Sequence, residues 1–239
     1  MLRDLNIEQV LFIDIETVPA VYDYGELAEE AQSLWSAKTR FIQEREGKEP
    51  GEIYEKAGIY AEFGKVVCIS TAFIHSDEGN PSIRVKSFYG DDETELLRQF
   101  GVMLSAYFSS NDKFLCGHNV KEFDIPFLAR RMLICGVELP VAIDLAGKKP
   151  WEVRHLDTMD LWKFGDYKHF TSLSLLTHIF GIPTPKDDIS GADVGRVYWE
   201  EKDLERIKVY CEKDTIAVAQ LLLKYKNQPI IPDDRIKVV

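Results

Sequence analysis

The sequence predicts an α/β protein built on a mixed sheet with helices on both faces. Three observations carry this reading: a short β-branched run at residues 10–15, a turn-separated pair of strand-like runs at 65–75 and 82–89, and amphipathic helical segments alternating with further strands.

Taken in order, VLFIDI at 10–15 reads as a strand buried on both faces and ended by Thr17, Val18 and Pro19. Residues 25–60 are rich in Ala, Glu, Lys and Gln and predict a helical insertion after that strand, with Leu27, Ala31, Leu34 and Trp35 on one apolar stripe. KVVCISTAFIH and SIRVKSFY flank the turn cluster DEGNP, which predicts an antiparallel hairpin and makes the sheet mixed. Asp91, Asp92 and Glu93 supply capping and first-turn acids for a helix to about residue 108, with Leu96, Leu97, Phe100 and Leu104 inward. Residues 114–117 read as a brief strand, and 123–135 as an amphipathic helix ended by Gly136. A short strand at 152–156 and a helix at 172–180 closed by Gly181 and Pro183 follow. The last long helix spans about 201–226, with Leu204, Ile207, Ile216, Val218 and Leu222 along its apolar stripe. No repeat or linker divides the 239 residues, so one domain is expected over 1–239.

Composition excludes several classes. At 45% hydrophobic and 29% charged residues the chain is neither disordered nor fibrous. The 29 Lys plus Arg against 40 Asp plus Glu leave a net charge of -11, which argues against a protein that coats phosphate backbones. Carboxylates that hold divalent metal would reverse that sign locally. Cys68, Cys116, Cys135 and Cys211 form no CxxC pair, which argues against a zinc ribbon or disulfide framework and fits a reducing, cytoplasmic setting. Neither a signal peptide nor a membrane-spanning run is expected.

Three acidic motifs carry chemistry. Asp14 and Glu16 sit two apart at the end of the first strand and project from one face, where they could grip one ion. A carboxylate embedded in a buried strand is costly unless it is paired or metal-bound. In GHNVKEFDIPFLARR, Asp124 opens a helix directly after a strand, at the carboxyl edge of the sheet where α/β sites form. On position alone the better reading is an N-terminal acid stabilised by the helix dipole. Asn119 suits the loop, Phe123 reads as core, and Arg130 and Arg131 as a solvated face. In VYCEKDTIAVAQLL, Tyr210 and Asp214 lie one helical turn apart on a shared face.

The ordered series of DIET, then Asn119 with Phe123 and Asp124, then Tyr210 and Asp214 resembles the three exonuclease motifs of the ribonuclease H-like 3'-5' exonucleases, the DEDD superfamily. More closely, the chain resembles the proofreading exonuclease domain of family B DNA polymerases in stand-alone form, over about residues 10–223. With Val at position 209 and Tyr at 210, it is similar to the tyrosine subgroup. TSLSLLTHIFGIP resembles the helix between the second and third motifs of such domains.

The resemblance implies a ribonuclease H-like mixed sheet and a metal-dependent 3'-5' exonuclease. Asp14, Glu16, Asp124 and Asp214 would hold two ions, Mg²⁺ or Mn²⁺, and Tyr210 would orient the attacking water. Asp14 would bridge both ions, Glu16 and Asp214 would complete the nucleophile-side site, and Asp124 would hold the second. Thr17, Val18, Asn119 and Phe123 would meet the terminal nucleotide, with an apolar wedge around Thr17 and Val18. The implied substrate is the 3' end of single-stranded DNA, with RNA or short oligonucleotides as the alternative and a catalytically silent nucleic-acid-binding module as the rival from another class. A proofreading or repair role would need a polymerase or repair partner in trans. Asp157 reads as a turn or capping residue, and Lys121, Lys168, His169 and Lys186 as exposed charges that could meet phosphates. With no basic stripe, binding is expected to be weak, salt-sensitive and distributive.

Overall fold

The computed structural model describes residues 2–77, 79–166, 168–183 and 189–239. Six strands, β1 (Val10–Pro19), β2 (Gly64–Asp77), β3 (Asn80–Tyr89), β4 (Phe114–Gly117), β5 (Leu156–Asp157) and β6 (Ile236–Val238), form one sheet in the order β5-β4-β1-β2-β3-β6. β1, β2 and β3 pair antiparallel, whereas β4 joins β1, β5 joins β4 and β6 joins β3 in parallel. This is the ribonuclease H-like mixed sheet that the motifs imply.

Along β1 the side chains alternate between two cores. Leu11, Ile13 and Ile15 pack with Leu97 and Phe100 of α2 (Glu93–Tyr107) and Leu128 of α3 (Asp124–Ile134). Val10 and Phe12 point the other way, into a cluster with Val218 and Leu222 of α7 (Leu204–Tyr225). Asp14 and Glu16 continue the Val10 and Phe12 row, so the strand's pleat alone aims both acids at the α7 side.

Between β1 and β2 the inserted segment forms α1 (Glu29–Glu46) and a 3-10 helix over Pro50–Ile59. The expected apolar stripe is corrected here. Leu27 precedes the helix, and Leu34 is 58% exposed, whereas Trp35 is fully buried and donates its Nε1 to the Pro50 carbonyl at 2.9 Å. Only a narrow face of α1 docks, because its partner is one 3-10 segment rather than the sheet. That segment reaches β1 at Gly58, where a Cβ would stand 3.2 Å from the Val18 backbone. Glycine is what allows the insertion to lie against the strand.

Three further expectations need correction. β1 does not stop before Thr17: after a bulge between Glu16 and Thr17 it pairs again, through Pro19 opposite Gly64. The strand expected at 152–156 shrinks to β5, because Pro150–Glu152 is a 3-10 turn and His155 instead accepts from Leu115 N and donates to the Ala142 carbonyl. Arg131 is not solvated: it is buried, with its guanidinium on Glu93 (2.9 and 2.5 Å) and on the Ala61 carbonyl (2.8 Å). As expected, Asp92 caps α2 and Glu93 stands in its first turn, where Glu93 also accepts from Val66 N and is drawn inward.

The remaining helices are α4 (Thr158–Lys163), α5 (Leu173–Phe180), capped by Ser172 and ended at Gly181 with φ 60°, and α6 (Val194–Arg196). The last of these runs into a π-helical turn, Val197–Glu201, closed by Lys202 at φ 57°. Neither that turn nor β6 is announced by the sequence pattern. Among the described residues no helix is long and apolar enough to cross a membrane.

Candidate active site

β1 brings Asp14 opposite Ser70 and Glu16 opposite Cys68, both on the face covered by α7. The bulge immediately after Glu16 breaks the ladder where the acids emerge. From α7, the Cys211 thiol reaches the Asp14 carbonyl oxygen at 3.4 Å and its Oδ2 at 3.5 Å. One potential ligand atom from each of Asp14, Glu16 and Cys211 lies within 4.8 Å of the others. One turn along the same helix, Asp214 is hydrogen-bonded to the Tyr210 side chain.

Asp124 arrives by another route. It is the first residue of α3, and its carboxylate accepts from its own backbone N–H and from that of Ile15, between the two acids of β1. The loop before it is held by buried Asp157, which accepts from Asn119 N (2.9 Å) and Lys121 N (3.2 Å) and caps α4 through Met159 N (3.0 Å). This is the capping role read for Asp157. Asn119 adopts φ 65°, a left-handed turn that asparagine tolerates. Gly117 precedes it because a Cβ there would meet Val120 at 2.6 Å and the Ile13 carbonyl at 2.9 Å.

The five predicted catalytic side chains therefore converge, and their electrostatics show it. Burial, then Glu16, Asp124 and Asp214, hold Asp14 well above the usual carboxylate range, with the Cys211 hydrogen bond pulling the other way. Glu16 is raised well above that range by burial and then by Asp214. Asp124 is pushed up to about 7, mainly by burial, against the two backbone amides that lower it. Tyr210 is raised by burial and then by Asp214 and Glu16, so its hydroxyl keeps its proton across the neutral range. No Lys or Arg ion pair reaches Asp14, Glu16 or Asp124 among the described residues. Oxygen-rich, mutually repelling and desolvated, this donor set suits a hard divalent cation.

The substrate residues are dispersed. Thr17 and Phe123 line a cleft of about 1150 Å³ beside Glu16. Val18 is fully buried, so its side chain offers no wedge to a ligand, and its backbone pairs with Lys65. Lys121 and Lys163 both lie on Asp160, and His169 on Asp166. Lys168 is exposed, and Lys186 lies outside the described residues. Sequence reasoning missed Cys211, although its spacing of three from Asp214 placed it on the same helical face.

A family model described as a predicted 3'-5' exonuclease related to the exonuclease domain of PolB matches residues 59–228. The match includes Asn119, Asp124, Tyr210 and Asp214 and begins after Asp14 and Glu16. No curated protein matches the chain. Nineteen chains of known structure match it. One is exonuclease I in the apo form, at 13% identity and a TM-score of 0.36, with 90% of this chain and 42% of that one covered. The chain thus spans under half the length of that structure.

Proposed function

This chain belongs to the family of predicted 3'-5' exonucleases related to the exonuclease domain of PolB, and on that premise we propose that it hydrolyses phosphodiester bonds from the 3' end of single-stranded DNA, releasing nucleoside monophosphates, with two divalent cations, Mg²⁺ or Mn²⁺, as cofactors. The observation that carries this reading is the convergence of Asp14, Glu16, Asp124 and Asp214 from three separate elements, with Asp14 and Glu16 held above their ordinary range by burial and neighbouring carboxylates and Asp124 pushed up mainly by burial.

Asp14, Glu16 and Asp214 would hold one cation and Asp14 with Asp124 the other. Bound there, such cations supply charge neutralisation for the phosphate and a water of lowered pKa. Tyr210 stays protonated, so it orients that water by hydrogen bonding and is no general base. Its bond to Asp214 fixes the phenol for the task. Thr17 and Phe123 face the substrate from the cleft, and Asn119 sets the loop that presents Asp124. That one sheet takes strands from residue 10 to residue 238 supports reading 1–239 as a single exonuclease domain.

The test is digestion of matched 3'-hydroxyl DNA and RNA oligomers with Mn²⁺ or Mg²⁺, with Asp14→Ala and Asp214→Ala alongside. Mononucleotide release from DNA that both variants abolish is expected. Cleavage that persists in both variants, or binding without cleavage by the wild type, would sink the assignment, and preference for RNA would move the substrate.

A further inference from the structure

The cleft beside Glu16 has a wall that the catalytic acids do not explain. It opens between the end of β1, the inserted 50–59 segment and the π-helical turn. Tyr22 stands in it, 46% exposed yet fixed on two sides. Its hydroxyl donates to the Glu200 carboxylate, and its ring packs on Trp199 at 6.1 Å and 31°. Trp199 in turn donates its Nε1 to the carbonyl of Pro19, the last residue of β1, at 3.1 Å. One aromatic residue, Trp199, thus tethers the exposed Tyr22 ring to the strand that carries Asp14 and Glu16.

The backbone that supplies this brace is unusual. Trp199 and Glu200 sit on a π-helical turn, a rare form that is frequent at functional sites, and the turn closes on Lys202 in a left-handed conformation that a lysine seldom adopts. The charge around the ring is also one-sided. Asp23, Glu55, Asp193 and Glu200 line the cleft together with Glu16. Its two cations are already engaged, Lys56 with Glu46 at 2.9 Å and Arg196 with Asp193 and Glu201. A phosphate backbone running along the cleft would meet carboxylates with no spare counter-charge. A neutral, planar group bearing amine donors suits it better, and a nucleobase is such a group.

We propose that Tyr22 is the stacking face for the base of the substrate's terminal nucleotide, and that the inserted segment and the π-helical turn close the cleft around one nucleoside end rather than a running strand. This rests on the exonuclease reading above and specifies where its substrate ends.

The experiment compares single-stranded oligodeoxynucleotides that differ only at the 3' terminus, one with a normal base and one with an abasic sugar, on the wild type, Tyr22→Ala and Tyr22→Phe. For the wild type, removal of the base is expected to lower kcat/KM about 5- to 150-fold through KM, the range that stacking of one base contributes. Tyr22→Ala should lose the same factor on the normal end and no longer distinguish the two, whereas Tyr22→Phe, which keeps the ring and gives up only the Glu200 contact, should still distinguish them. A wild type indifferent to the terminal base, or a Tyr22→Ala protein that still discriminates, would overturn the proposal. Anisotropy of the same oligomers, 5'-labelled, on Asp14→Asn and on Asp14→Asn with Tyr22→Ala reads the contact without cleavage. Base-dependent binding lost with Tyr22 supports the stacking face even if the wild type cuts nothing, which is the failure of the exonuclease reading alone.

Discussion

The Cys211 sulfur lies 3.4 Å from the main-chain oxygen of Asp14 and 3.5 Å from its Oδ2, so one thiol proton from α7 is shared by the backbone carbonyl and one carboxyl oxygen of the acid at the centre of the cluster. The contact orients a carboxylate whose other neighbours all repel it. Groups that hold metal ligands in place typically change metal affinity by about 10- to 100-fold when removed. Cys211→Ala should therefore weaken Mn²⁺ binding by roughly that factor, read from the Mn²⁺ dependence of Tm, while the packing loss stays near ~1 kcal/mol. Wild-type affinity in this variant would mean that the thiol only fills space.

Asp14→Asn should separate stability from function. In the metal-free protein it removes a buried charge pressed by three carboxylates, so Tm above pH 7 is expected to rise. The same variant should lose the increase in Tm that Mn²⁺ gives the wild type, because a cation that binds only the native state stabilises it by mass action. Equal Mn²⁺ responses in the two proteins would contradict the ligand role.

The raised acids set the sign of the pH dependence. Asp124 has a folded pKa of about 7, above the ordinary 3.8, so between those values the native state holds a proton that the unfolded chain has released. That contribution to stability is complete below the lower value and is lost as pH rises to about 7, at a slope on the order of 1 kcal/mol per pH unit per proton. Asp14 and Glu16 are raised too and act in the same sense. In chelator, Tm should fall from pH 5 to pH 7.5. Mn²⁺ should restore it increasingly over the same span, since the cation needs the deprotonated acids. Asp124→Asn should flatten the slope in chelator, and an unchanged slope would assign it elsewhere.

The candidate set was legible because each member is announced by its own element: two acids on one pleat of a β-branched strand, an acid at a strand-to-helix junction, and a tyrosine and an acid one turn apart. The hairpin was legible from DEGNP, since turn chemistry is local. What failed was decided at a distance. Arg131 reads as a surface residue in its own helix, and only the arrival of Glu93 from α2 and Ala61 from before β2 makes it a buried one. Leu34 reads as core until the helix is seen to dock on a single 3-10 segment. The continuation of β1 beyond Glu16 depends on a bulge, which alternation of apolar residues cannot reveal.

Arg131 gives the clearest structural prediction. With Glu93 it ties α2, α3, the start of β2 and the end of the insertion at one buried point. Arg131→Met should destabilise the fold by about 3–5 kcal/mol, because Glu93 is left charged and buried. Adding Glu93→Gln should recover part of that loss. Denaturant unfolding of the single and double variants checks this; a loss under ~1 kcal/mol in Arg131→Met would mean that water already shields the pair.

Charge predicts how the enzyme leaves its substrate. The chain carries -11 overall, the cleft adds carboxylates, and its cations are held in internal ion pairs. Grip on the strand away from the scissile end should then be weak, since affinity for a polyanion comes from cations free to replace its counterions. After each cut the shortened strand has little to retain it, so degradation should be distributive. With excess trap DNA added at the start of the reaction, the products of one encounter should be shortened by only a few nucleotides. Complete degradation of long strands under the trap would show that some surface outside the cleft holds the strand between cuts.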